Sequence, residues 1–216
     1  MNRRIVLLLT LVAAAAVAVA VFVLPSGSTP GTQAAATGGG ELALAEQPRV
    51  GAADASVDVV VFEDFLCPHC RTFAENVAPR LKRDYVDGGD VAYHMKNFVV
   101  MGPESERVAQ VGECVAEQGD DAFWRFEEVA FRAQDTLNEA NAIALAERYV
   151  DGLDADALAS CIASGRGLEA AKADTARAVA LGLRGTPSVV VNGAFVPAAN
   201  YADVVAAIDD ALADAR

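Results

Sequence analysis

Basic residues are scarce in this chain. Among its 216 residues, Lys and Arg together number 17 against 30 Asp and Glu, which leaves a net charge of −13. A protein that binds nucleic acid through phosphate contacts needs a clustered excess of positive charge, so this composition excludes that class. Two origins of the acidity stay open: ordinary solubility, or a halophile's surface, where high salt screens the repulsion between like charges. The scarcity of lysine, present only as Lys82, Lys96 and Lys172, favours the halophile.

Histidine and cysteine are also few, with two of the first and four of the second. The cysteines are Cys67, Cys70, Cys114 and Cys161. A structural zinc site usually takes two ligand pairs, each at short spacing, and Cys67 and Cys70 have no such second pair. Zinc binding is therefore a weak explanation for these two cysteines, and we predict no metal site.

The N-terminal segment lacks charge from Ile5 to Leu24. Twenty helical residues rise about 30 Å, which is enough to cross a bilayer. Arg3 and Arg4 supply the positive flank that stays in the cytoplasm. We predict a signal-anchor helix over residues 1–24 that leaves the rest of the chain on the extracytoplasmic side of the cell membrane. The alternative is a signal cleaved near Ala34–Ala36, which would release a secreted protein.

A flexible linker is predicted over residues 25–48, which are rich in Gly, Ser, Thr, Ala and Pro, and a folded domain over 49–216. The domain opens with Val57–Phe62, a β-branched apolar run typical of a strand covered on both faces. A helix from Pro68 to about Tyr85 and a second strand over Val91–Phe98 follow. A helical crossover of this length indicates that the two strands are parallel.

A long helical region, residues 104–181, follows without any strand pattern and is divided by glycines into four or five helices. Ser188–Val191 is then predicted to be a strand, and the dipeptide Asn192-Gly193 after it strongly favours a hairpin turn. Ala194–Val196 is the predicted return strand. An amphipathic helix over Tyr201–Leu212 ends the domain.

The Cys67-Pro68-His69-Cys70 motif stands between the first strand and the first helix. A thiol at the first turn of a helix faces unpaired backbone N–H groups and the positive end of the helix dipole. Both favour the thiolate, which is the reacting species in disulfide exchange. A C-x-x-C motif in this strand-to-helix position is typical of a redox site.

Together these features resemble the DsbA-type thiol–disulfide oxidoreductases, which are thioredoxin folds with an inserted helical domain. The resemblance spans roughly residues 51–213. It rests on Phe62–Cys70, on Cys114–Gln118 followed by Phe123–Trp124, and on Gly185–Ser188. It implies an α/β, thioredoxin-like fold with an all-helical subdomain inserted at about residues 104–181.

The resemblance also implies roles for the residues of the motif. Cys67 corresponds to the nucleophile, and Cys70 resolves the mixed disulfide. Pro68 and His69, the pair found between the cysteines of strongly oxidising members, would tune the Cys67 thiolate. Cys67 is expected to be exposed and Cys70 to lie one turn further in, where it is shielded from solvent.

Two further pairs of residues are expected to matter. By resemblance, Thr186–Pro187 is a cis peptide that faces the C-x-x-C motif and docks an extended substrate. An exported domain also lies in a compartment that permits disulfides, and the spacing pairs Cys67 with Cys70 and Cys114 with Cys161. For the second pair, inert buried thiols remain the alternative to a structural disulfide.

The implied activity is the oxidation of cysteines in exported proteins. No bound cofactor is needed, because the redox-active disulfide itself accepts the electrons. An unidentified oxidant or membrane redox partner must then recharge the enzyme.

One departure from the family pattern concerns proton transfer. Many family members carry a buried acid six residues before the first cysteine, where it accepts a proton from the deeper thiol. This chain has Val61 at that position. We therefore expect the proton of Cys70 to pass through water or through Glu63.

Two other classes of function fit the same residues. Within the enzyme class, the domain could be a reductase or isomerase. Outside it, the domain could be a thiol-binding or metal-binding module: a holdase-like chaperone, or a copper carrier that uses Cys67, Cys70 and His94. His94 alternates with apolar residues on a predicted strand and is more typical of a packed histidine than of a ligand.

Overall fold

A five-stranded mixed sheet lies at the centre of the computed structural model, which describes residues 42–45 and 47–216. The strands are β1 Arg49–Val50, β2 Val57–Glu63, β3 Val91–Asn97, β4 Ser188–Val191 and β5 Ala194–Val196. Their spatial order is β1-β3-β2-β4-β5. β2 runs parallel to β3 and antiparallel to β4, so the β-branched run recognised in the sequence is the central strand.

Helices cover the sheet and extend beyond it. They are α1 Pro68–Asn76, α2 Ala78–Leu81, α3 Pro103–Ala116, α4 Asp120–Arg132, α5 Glu139–Tyr149, α6 Ala155–Ser164, α7 Arg166–Ala180 and α8 Tyr201–Asp214. A π-helical turn, Lys82–Val86, follows α2, and a 3-10 turn, Gln134–Thr136, follows α4. In the part of the chain that the structure describes, no helix is long and apolar enough to span a membrane. The segment predicted as a signal-anchor, residues 1–24, and the linker up to residue 41 lie outside the described residues.

The helix after the redox motif is interrupted, contrary to the continuous helix that we predicted to about Tyr85. α1 ends at Asn76, and Val77 caps it by donating its backbone N–H to the carbonyl of Phe73. Pro79 explains the interruption, because proline has no N–H to donate and is tolerated only in a first helical turn. It occupies that turn in α2.

The two faces of the sheet pack against different helices, because successive side chains of a strand point to opposite sides. Val59 and Val61 lie in a cluster with Phe73 of α1 and Ile208 of α8. On the other face, Val60, Phe62 and Val190 pack with Ala178 of α7 and with Leu183. β2 is therefore covered on both faces, as its unbroken apolar sequence predicts.

Helices α3 to α7 occupy the stretch that we predicted for the inserted subdomain, and they have a core of their own. Phe65 lies in that core, 5.5 Å from the ring of Phe126 and 5.3 Å from that of Phe131. Gly112 of α3 allows the close approach, since a Cβ there would lie 2.9 Å from the Phe65 ring. The residue two positions before Cys67 is thus embedded in the helical subdomain.

A disulfide joins Cys114 of α3 to Cys161 of α6. Both residues are buried in the helical core. α7 packs closely over the bond, because Gly167 presents no side chain: a Cβ there would lie 2.7 Å from the Cys114 sulfur. The cross-link therefore ties α3 to α6, and α7 packs against it.

We predict that replacing both Cys114 and Cys161 by Ser lowers the free energy of unfolding by about 2–4 kcal/mol, because the unfolded chain regains the freedom of a long closed loop. Denaturant unfolding of the variant and of the wild type, without reductant, measures this difference. The same comparison with a reductant that opens the wild-type disulfide is the control, and there the two proteins should converge. An unchanged unfolding midpoint without reductant would show that the bond contributes nothing.

Candidate active site

Cys67 lies at the junction of β2 and α1, where the sequence predicted it. It is the N-cap residue of α1, with an extended backbone conformation, and Pro68 opens the helix. Cys67 therefore lies at the end of α1 where the N–H groups of the first turn have no partner within the helix. Both Cys67 and Cys70 carry free thiols, so the structure describes the dithiol form.

The two thiols differ in their surroundings. Cys67 is 5% exposed, whereas Cys70, one turn into α1, is fully buried. Our prediction that Cys67 is exposed is therefore wrong: Cys67 is buried, like Cys70, although a small part of it still reaches the surface. Pro68 and His69, between the two cysteines, are both exposed.

The segment Thr186–Pro187 covers Cys67. The register between β2 and β4 pairs Phe62 with Ser188, so the residue before β4 lies beside the end of β2, where the redox motif begins. The Thr186–Pro187 peptide is cis, and the Cys67 sulfur lies 3.5 Å from the Thr186 carbonyl oxygen. Both residues of this segment are half-buried, so a substrate peptide can reach its edge.

Cys70 is surrounded by groups that oppose its ionisation. Burial raises the pKa of the Cys70 thiol, the charge of Glu63 raises it further, and the Asp64 backbone N–H, 3.5 Å from the sulfur, lowers it by less. The thiol form of Cys70 is therefore strongly favoured in the reduced protein. A reaction that needs its thiolate also needs a group that takes its proton.

Glu63 is the carboxyl group whose charge acts on Cys70. Val61, at the usual position of the buried acid, packs in the apolar core, but Glu63 lies two residues further along β2 and points to the same face. Glu63 is fully buried, and neither of its carboxylate oxygens has a hydrogen-bond partner among the described residues. Burial raises the pKa of Glu63 well above its usual value, and the charge of Glu127 adds to the rise.

Asp64, the next residue, anchors the active-site loops. Its buried carboxylate accepts hydrogen bonds from the backbone N–H groups of Leu66 (2.8 Å), Val100 (2.7 Å) and Met101 (2.9 Å), and from the hydroxyl of Ser105. These four donors lie before the redox motif, after β3 and in the first turn of α3. Sequence reasoning did not single out Asp64 as an anchor, because its donors are distributed over forty residues of the chain.

The helical subdomain also holds the redox motif directly. Gln134, in the 3-10 turn after α4, donates its side-chain amide to the carbonyl oxygens of Phe65 (2.8 Å) and Cys67 (3.0 Å). Arg71 of α1 pairs with Asp135 on the same turn at 2.9 Å. The inserted helices therefore hold the redox motif in position through hydrogen bonds and an ion pair, and they also bury its cysteines.

The structure does not bring His94 together with the two cysteines, so these three residues do not form the site that the copper-carrier hypothesis requires. His94 pairs with Val60 on the sheet and therefore points to the face opposite Glu63. Its Nε2 atom lies 3.0 Å from the carboxylate of Asp58. In the part of the chain that the structure describes, no group of three or more His, Cys, Asp and Glu side chains could hold a metal ion.

A thioredoxin family model matches residues 44–210. The chain belongs to the thioredoxin family. It is 35% identical over 156 residues to the probable disulfide bond formation protein D of Bacillus anthracis, an alignment that covers 70% of this chain and 72% of the relative. These matches confirm the thioredoxin-like α/β fold that the sequence predicted.

Solved structures show the same relationship. The oxidised form of BdbD from Bacillus subtilis superposes with a TM-score of 0.71 at 26% identity, over 79% of this chain and 95% of that one. DsbA from Mycobacterium tuberculosis superposes with a TM-score of 0.61 at 27% identity, over 79% of this chain and 100% of that one. With its dithiol at the start of α1, the chain is a DsbA-type thiol–disulfide oxidoreductase.

We predict that Asp64→Asn lowers the free energy of unfolding by about 1–3 kcal/mol, because an amide N–H₂ group would face donors that now share a carboxylate. The exchange of the Val100 and Met101 amide hydrogens should accelerate at the same time. Unfolding titrations and hydrogen exchange measure the two effects. Asp87→Asn, on an exposed turn, is the matched control, and equal behaviour of the two variants would contradict the anchoring role.

Proposed function

We propose that the protein is an exported oxidase that transfers a disulfide from Cys67 and Cys70 to cysteines of secreted proteins. The observation that carries this proposal is the asymmetry of the two sulfurs: Cys67 is 5% exposed and lies beside Thr186, whereas Cys70 is fully buried and its pKa is raised by the charge of Glu63. Three features support its direction and location: the Pro68-His69 pair, the disulfide bond formation proteins among the relatives, and the apolar segment near the N-terminus.

Transfer begins when a substrate thiolate attacks the Cys67 sulfur of the oxidised enzyme. The bond between Cys67 and Cys70 breaks, and Cys70 leaves with the electron pair. Glu63 gives its proton to the leaving thiolate, which the buried surroundings of Cys70 would otherwise destabilise. The product is a mixed disulfide between the substrate and Cys67.

A second substrate thiolate completes the transfer by attacking the substrate sulfur of the mixed disulfide. Cys67 leaves as a thiolate at the N-terminus of α1, where the N–H groups and the helix dipole stabilise its negative charge. His69, on the same exposed turn, is placed to add donor or cationic character. The substrate leaves with a disulfide, and the enzyme keeps the two electrons as a dithiol.

The segment at Thr186–Pro187 is the proposed docking edge. An extended peptide that pairs with the Thr186 backbone would place its cysteine beside Cys67, because the Thr186 carbonyl oxygen is 3.5 Å from the Cys67 sulfur. Backbone pairing of this kind does not depend on the substrate's side chains. It therefore suits an enzyme that acts on many exported proteins.

Recharging reverses the same steps with an oxidant that carries a disulfide. The Cys67 thiolate attacks the oxidant's disulfide, Cys70 gives its proton to the Glu63 carboxylate, and the Cys70 thiolate then displaces the oxidant from Cys67. The oxidant leaves as a dithiol. This cycle needs no bound cofactor, and we propose a membrane redox partner as the oxidant.

We predict that the reduction potential of the Cys67–Cys70 pair lies well above the thioredoxin value of about −270 mV, towards the value of about −120 mV that is typical of a strong oxidant. Equilibration with glutathione buffers measures it, at high salt because we also predict a halophile. The control is Cys70→Ser, which should accumulate a mixed disulfide on Cys67. A potential near that of thioredoxin would favour a reductase or isomerase.

We predict that Glu63→Gln slows the closure of the Cys67–Cys70 disulfide about a hundredfold, because an amide of the same shape cannot accept the Cys70 proton. Stopped-flow mixing of the reduced protein with oxidised glutathione, at concentrations where the rate no longer depends on glutathione, measures this step. Glu147→Gln, on the exposed face of α5, is the control. If both variants close at the wild-type rate, water rather than Glu63 takes the proton.

A further inference from the structure

Gln134 is a buried side chain of the inserted helices that the reaction above does not use. It lies in the 3-10 turn after α4 and is 9% exposed. Its side-chain nitrogen carries two hydrogens and lies 2.8 Å from the carbonyl oxygen of Phe65 and 3.0 Å from that of Cys67. Gln134 therefore binds the chain on both sides of Leu66, where the redox motif begins.

The turn that carries Gln134 is itself fixed to the helical core. Leu137, at the end of the turn, is 7% exposed and lies in that core. Its backbone N–H donates to the Gln134 carbonyl at 3.1 Å, and the N–H of Ala133 donates to the carbonyl of Val129 in α4 at 3.0 Å. The side chain of Gln134 is thus a short link between a fixed backbone and Cys67.

The ion pair on the same turn is a weaker constraint. Arg71 and Asp135 approach to 2.9 Å, but the Asp135 side chain is 84% exposed. Exposed ion pairs contribute little to stability, because water screens the charges. This pair also joins two side chains, whereas Gln134 binds the backbone of Cys67 itself. Gln134 is therefore the contact by which the insertion can act on the reactive cysteine.

The backbone of Cys67 is held on both sides. Its N–H donates to the Asp64 carbonyl at 2.9 Å. Its carbonyl oxygen accepts from Gln134 and also from the backbone N–H of Arg71, at 3.2 Å, which is the first hydrogen bond of α1. An N-cap residue combines an extended conformation with a carbonyl that accepts this first bond. Gln134 therefore supports the N-cap conformation of Cys67.

The redox state decides how much this support matters. In the oxidised enzyme, Cys67 is also tied by a covalent bond to Cys70, which is buried in α1. The dithiol form, which the structure describes, has no such bond. Loss of the Gln134 contacts should therefore destabilise the dithiol form more than the disulfide form.

We propose that Gln134 is a positioning residue that stabilises the dithiol form of the enzyme by holding Cys67 at the N-terminus of α1. The proposal rests on the oxidase function, because a dithiol/disulfide pair becomes a stronger oxidant when its reduced form is stabilised. As the substrate disulfide forms, the bond between the substrate sulfur and Cys67 breaks, and Cys67 leaves with the electron pair. Gln134 keeps that sulfur where the first-turn N–H groups and the helix dipole stabilise its charge.

The test measures the reduction potential of Gln134→Ala and the stability of its two redox forms. Equilibration with glutathione buffers should show an equilibrium constant shifted about tenfold towards the disulfide form, which lowers the potential by about 30 mV. Denaturant unfolding of each form should show a larger loss of stability in the dithiol than in the disulfide. A purely structural side chain would lower both stabilities equally.

Gln110→Ala is the matched control. Gln110 of α3 is 8% exposed and donates its side-chain amide to the carbonyl of Ile162 at 2.8 Å. It thus resembles Gln134 in residue type, burial and kind of contact, but its partner lies in α6 and not in the redox motif. We expect this variant to lose the same stability in both redox forms and to keep the wild-type potential.

An unchanged potential in Gln134→Ala, with equal losses in the two redox forms, would overturn the proposal. If Gln134→Ala fails to fold, Gln134→Met keeps most of the side-chain volume, removes both hydrogen bonds and has to show the same lower potential. A wild-type potential near that of thioredoxin would contradict the oxidase function alone. The role of Gln134 would still be decided, since it is measured as the difference between the variant and the wild type.

Discussion

The buried carboxylate of Asp64 is the contact on which the geometry of the active site depends. Asp64 directly follows the last residue of β2. Its carboxylate accepts hydrogen bonds from the segment before the redox motif, from the turn after β3 and from the first turn of α3. A buried carboxylate in an apolar core is unfavourable unless its oxygens accept hydrogen bonds. Since each donor satisfies the carboxylate only in one arrangement of the loops, the same contact fixes the end of β2, the start of α1 and the start of α3.

The inserted helices contribute to the chemistry as well as to the core. Phe65 is buried among their side chains, and Gln134 donates a hydrogen bond to the carbonyl oxygen of Cys67. A thioredoxin sheet alone supplies the two thiols and the cis proline. The insertion adds the side chains that cover Cys70.

Most of the fold and the main site residues could be predicted from the sequence, because local patterns specify them. The β-branched run, the C-x-x-C motif after it and the Thr186-Pro187 pair each have a local signal. Glu63 was harder to assign, since the family's acid position holds Val61 and only the strand register shows that the two residues share a face. Asp64 and Gln134 could not be predicted, because their partners are distant in sequence.

The disulfide between Cys114 and Cys161 makes the protein a substrate for its own type of reaction. Under the proposed function, a newly exported copy carries these two cysteines as thiols, and α3 and α6 are tied together only after an oxidant converts them to the disulfide. Under the proposed function, mature copies already present outside the cell can supply that oxidation. Maturation would then be autocatalytic, with the first active molecules accelerating the completion of those that follow.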